Sequence, residues 1–82
     1  MAGGINKLSA VAVQKAKEPG YYGDGGGLWL QLSKLGGRSW AFRFTIHGKR
    51  REMGLGAAHT VTLAEAREEA LRLRKQVAFA TR

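Results

Sequence analysis

Cysteine is absent from these 82 residues, so no disulfide and no thiolate metal site can form. That fits a reducing compartment. Proline occurs once, at Pro19, and marks a turn. No apolar run approaches the length of about 20 residues that a membrane span needs, so no membrane partner is expected. Residues Met1 to Lys7 lack the apolar stretch of a secretory signal. Residues 1–6 read as a flexible leader and 7–82 as a single domain. Acids are scarce. Six Asp and Glu face 14 Lys and Arg, giving a net charge of +8. Six basic residues fall between Lys34 and Arg51 with no acid among them. A polyanion is the natural partner for such a chain.

Catalytic and metal-binding patterns are also missing. His47 and His59 have no second ligand residue at a metal-binding spacing, so no metal and no cofactor is expected. No nucleophile stands near a base with an orienting third residue, which argues against an enzyme within these residues. The glycine-rich segment Tyr21-Tyr22-Gly23-Asp24-Gly25-Gly26-Gly27 lacks the Lys-Ser/Thr of a P-loop and runs into a strand rather than a helix. It reads as a loop whose glycines permit unusual φ.

What the chain does contain is alternation. In Leu28-Trp29-Leu30-Gln31-Leu32 the leucines share one face, leaving Trp29 and Gln31 on the other. An outward Trp is either covered by another element or adds contact area to a binding face. In Arg38–Ile46, Trp40, Phe42, Phe44 and Ile46 share one side, while Ser39, Ala41, Arg43 and Thr45 share the other. His47-Gly48 suits a two-residue hairpin turn. It would pair Ile46 with Lys49, Thr45 with Arg50, Phe44 with Arg51, Arg43 with Glu52 and Phe42 with Met53. One hairpin face then holds Trp40, Phe42, Phe44, Met53 and Leu55, and the other Arg43, Thr45, Arg50 and Glu52. Ser33 to Gly37 reads as the preceding hairpin loop.

Two helices flank these strands. Ser9 can cap a short helix beginning at Ala10, closed by Pro19-Gly20, with Leu8 and Val11 or Val13 as its docking residues. Thr62-Leu63-Ala64-Glu65 matches a capping box. Leu63, Ala66, Ala70, Leu73 and Val77 then form one apolar stripe on a helix reaching about residue 79. The expected fold is α+β: a three-stranded antiparallel sheet packed on a carboxyl-terminal helix, with a short amino-terminal helix.

Several runs, in order, resemble one known module. They are Lys7-Leu8-Ser9, Asp24 to Leu30, Lys34 to Gly37, Ser39 to Phe44, Gly48 to Arg51, Gly54-Leu55-Gly56 and Leu63 to Arg67. Together they are similar to the amino-terminal arm-binding domain of phage and prophage integrases, which are tyrosine-type site-specific recombinases. The family usually has Tyr where Trp29 stands. The resemblance implies a three-stranded sheet placed in the DNA major groove at arm sites. It also implies an excised, non-catalytic piece of a longer recombinase, working in the bacterial cytoplasm at the nucleoid, beside other integrase subunits.

On that reading Gln31, Arg43, Thr45, Arg50 and Trp29 face bases, whose edges are read by side-chain hydrogen bonds. Lys34, Arg38, Lys49 and Arg51 meet phosphates, which fix position without reading sequence. RNA binding is an alternative, with Trp29 as a stacking surface. A protein-interaction module with a basic face is another.

Overall fold

A computed structural model describes residues 7–80; the expected leader, residues 1–6, lies outside that range. The elements run α1 (Ala10–Lys15), β1 (Gly20–Gly25), β2 (Leu28–Leu32), β3 (Arg38–Ile46), β4 (Lys49–Ala57) and α2 (Leu63–Ala80). The strands form an antiparallel sheet in the order β1-β2-β3-β4. The sheet has four strands where the sequence leads one to expect three. The additional strand is β1, built from the Tyr21-Tyr22-Gly23-Asp24 segment expected to be loop. Glycine lowers strand propensity, and half of β1 is glycine. Pairing with β2, from Gly20↔Leu32 to Gly23↔Trp29, holds it extended nonetheless.

The hairpin register is as expected, pair for pair, from Ile46↔Lys49 to Phe42↔Met53. His47 and Gly48 take φ of 50° and 76°, the double left-handed conformation that matches strand twist in a two-residue turn. Beyond Ala41↔Gly54 a bulge intervenes, and Trp40 pairs with Gly56. Leu55 is the extra residue and is only half-buried.

Alternation makes one sheet face apolar. Leu28, Leu30, Trp40 and Phe42 are buried there against Ala66, Ala70 and Leu73 of α2. The two small alanines let the helix axis approach the sheet. The Trp40 Nε1–H donates to the Val61 carbonyl at 2.7 Å, so the buried indole keeps a partner. Met53, at the β4 edge, stays 43% exposed.

The capping box at the head of α2 is formed. Thr62 Oγ1 accepts from the Glu65 N–H at 3.1 Å, and Glu65 Oε1 accepts from the Thr62 N–H at 2.9 Å. At α1, Ser9 Oγ accepts from the Ala12 N–H at 3.0 Å, and Val13 rather than Val11 is the buried anchor.

A buried ion pair ties three distant segments together. Asp24 is 1% exposed and points inward from β1. Its carboxylate accepts from Arg67 Nε and Nη2, both at 2.9 Å, and from the Leu8 N–H at 2.7 Å. Arg67 Nη2 also donates to the Leu8 carbonyl at 2.7 Å. Burial alone would raise the Asp24 pKa, but the Arg67 and Leu8 hydrogen bonds outweigh it and hold the carboxyl below its ordinary range.

Candidate nucleic-acid interface

The sheet face away from α2 carries the candidate site. Register arranges it in rows: Tyr21, Gln31, Ser39 and Ala57 lie abreast across the strands, and Gly23, Trp29, Ala41 and Gly54 form the next row. Arg43 beside Glu52 and Thr45 beside Arg50 extend the face toward the β3–β4 turn.

Trp29 is the large member of a row that is otherwise small. With glycine at 23, its indole can lie across β1; a Cβ at Gly23 would sit 3.2 Å from the ring. Tyr21 meets that ring edge-on, with centroids 6.4 Å apart and planes at 89°. Trp29 is thus half-buried, on the outer face rather than in the core.

Arg43 stands at the centre. Its Cζ lies 4.1 Å from the Tyr21 ring centroid and 5.1 Å from that of Trp29. Its Nε donates to Glu52 Oε1 at 2.9 Å, and the two side chains are 40% and 42% exposed. A pair so exposed adds little stability; what it supplies is orientation. The Glu52 hydrogen bond, with a smaller contribution from Tyr21, raises the guanidinium pKa further, so its charge is constant at any working pH.

Of the other residues expected to face bases, Thr45 and Arg50 are exposed and Gln31 is half-buried, all on this face. The residues expected at phosphates divide. Lys34 is exposed in the β2–β3 loop. Lys49 and Arg51 alternate to the α2 side of edge strand β4, so they flank the face rather than lie on it.

Arg38 is turned elsewhere. Its Nε donates to the Val13 carbonyl at 3.0 Å, and Nη2 donates to those of Gln14 and Ala16 at 3.1 and 2.7 Å. It caps the carboxyl end of α1, where Ala16 turns extended at ψ 126° and leaves carbonyls in need of donors. The signal was in the sequence: Arg38 has the parity of Trp40, hence the inner face. Tyr21 is the residue that sequence reasoning missed, because its strand was missed; the alternation Tyr21 out, Tyr22 in was there to read.

Among the described residues, no group of three or more His, Asp or Glu could hold a metal ion. No helix among them is long and apolar enough to cross a membrane.

The sequence matches the family model described as "Arm DNA-binding domain" over residues 8–79. The chain belongs to the arm DNA-binding domain family. It is 35% identical over 71 residues to the Integrase of Shigella phage Sf6, and equally to Prophage integrase IntS of Escherichia coli. Each alignment covers 85% of this chain and 18% of the relative, so this arm domain spans about a fifth of the proteins it resembles.

Proposed function

We propose that this arm domain binds double-stranded DNA by seating the outer sheet face in a major groove at arm sites, as the non-catalytic module of a tyrosine-type integrase. The reading carries with it a bacterial cytoplasmic setting at the nucleoid, and other integrase subunits as neighbours. The observation that supports it best is Arg43, held in a fixed pose at the centre of an exposed, basic sheet face. A major groove about 12 Å wide admits β-structure, and an Arg fork fits guanine O6 and N7. Arg50, Thr45 and Gln31 are the further candidates for base edges. Lys34, Lys49 and Arg51, at the rims, suit phosphates. Arg38 is left out, since its donors serve α1.

The test begins with selection of a preferred site from a random duplex library. Arg43→Ala and Lys49→Ala are then measured on the selected and a scrambled duplex at one salt concentration. Arg43→Ala should lose about 1–3 kcal/mol of discrimination, and Lys49→Ala should weaken both duplexes alike. Equal losses on both duplexes for Arg43→Ala would make it a phosphate anchor and remove the assigned reading face. Preference for single-stranded DNA or RNA over duplex would replace the reading with the RNA alternative.

A further inference from the structure

We propose that Tyr21 and Trp29 are positioning residues for Arg43, rather than DNA contacts in their own right. The proposal rests on the sheet-face reading above and names what gives that face its specificity. Arg43 belongs to β3, yet its guanidinium is met from three other strands: Tyr21 of β1, Trp29 of β2 and Glu52 of β4. Two nearly perpendicular rings flank the guanidinium and Glu52 holds its Nε, so the group is confined from three sides. A free Arg side chain samples many rotamers and loses that freedom on binding; one already held loses little. The aromatic support is itself set. Tyr21 abuts Trp29 edge-on, and Trp29 lies against Gly23, where an added Cβ would be 3.2 Å from the indole. β1 is therefore more than a sheet edge: it carries one wall of the device that aims Arg43.

Affinities for the selected and a scrambled duplex are measured at one salt concentration for Tyr21→Ala, Tyr21→Phe, Arg43→Ala and the double variant Tyr21→Ala/Arg43→Ala. Tyr21→Ala should weaken the selected duplex about three- to fivefold, the weight of lost cation–π support at an exposed site, and leave the scrambled one unchanged. Tyr21→Phe, which keeps the ring face, should stay within about twofold. In the Arg43→Ala background, Tyr21→Ala should have no further effect. Persistence of the full Tyr21→Ala loss in that background would show that Tyr21 touches DNA itself and overturn the proposal. Nitrogen-15 relaxation of the Arg43 Nε in the DNA-free chain is a second readout. It should report a restricted side chain that loosens in Tyr21→Ala and not in Tyr21→Phe. An equally mobile Nε in all three chains would also overturn it. If no duplex is preferred at all, the DNA reading falls, while the relaxation measurement still decides whether the rings position Arg43.

Discussion

Replacing Asp24 with Asn tests whether the buried ion pair holds the amino-terminal segment, β1 and α2 together. The carboxylate accepts three hydrogen bonds, two from Arg67 and one from Leu8, while 1% exposed. An amide keeps one acceptor for the Leu8 N–H but turns its NH2 toward the guanidinium, donor against donor. Removing one partner of a buried pair costs about 3–5 kcal/mol. The Arg67 side chain is 31% exposed and can recover some hydration, so the low end, about 3 kcal/mol, is expected here. For a chain of this length the whole stability is roughly 4–12 kcal/mol, so the loss is a large share. Urea unfolding at pH 7 measures it. The pH dependence gives a second handle. The folded pKa of Asp24 is lowered, so its contribution is present above the unfolded value of about 3.9 and is lost as pH falls through the folded value. The gap between wild type and Asp24→Asn should therefore shrink below about pH 4. A variant within about 0.5 kcal/mol of wild type at pH 7 would refute the argument, because surface substitutions fall in that range.

Phe42 is 2% exposed, stacks on Phe44 at 5.5 Å and faces α2, so Phe42→Ala should cost about 3–5 kcal/mol; a thermal transition near wild type would show that the strand faces are reversed. Gly27 has φ of 90°, and a Cβ there would lie 2.6 Å from the Arg43 carbonyl oxygen and 2.8 Å from Phe42, so Gly27→Ala should cost about 2–5 kcal/mol; chemical unfolding checks this, and a neutral result would refute the close approach. DNA affinity should fall with salt at a log–log slope of about −3, from the three phosphates that Lys34, Lys49 and Arg51 would neutralise; a fluorescence titration with slope near zero would remove the DNA reading.

The elements legible in the sequence are those whose determinants are local. The β3–β4 register follows from turn chemistry at His47-Gly48 and from strict alternation on both sides. The start of α2 follows from two residues three apart that satisfy each other's backbone donors. β1 fails both conditions. Its glycines hide a strand pattern, and its anchor is Asp24, whose partners lie 16 and 43 residues away. A carboxylate beside four glycines reads as loop until Arg67 is seen opposite it; long-range pairing overrode local propensity.

The site was partly legible for the same reason. Parity alone put Arg43, Thr45, Arg50 and Glu52 on one face, and the sheet bears this out. Charge density misled where parity was not applied. The acid-free run from Lys34 to Arg51 looks like one continuous basic surface, yet alternation sends Arg38 under the sheet to the carbonyls of α1 and turns Lys49 and Arg51 to the flank. A basic residue counts toward the outer sheet face only if its donors are free and its strand parity points there; one of the opposite parity on edge strand β4 can only flank it. By that criterion the outer face is a narrow strip centred on Arg43, with Glu52 as its acidic residue. That acid lowers the net attraction of the strip for phosphate while fixing the guanidinium beside it, a trade that favours orientation over charge and is the reason the proposed reading gives the strip bases and the flanking cations phosphates.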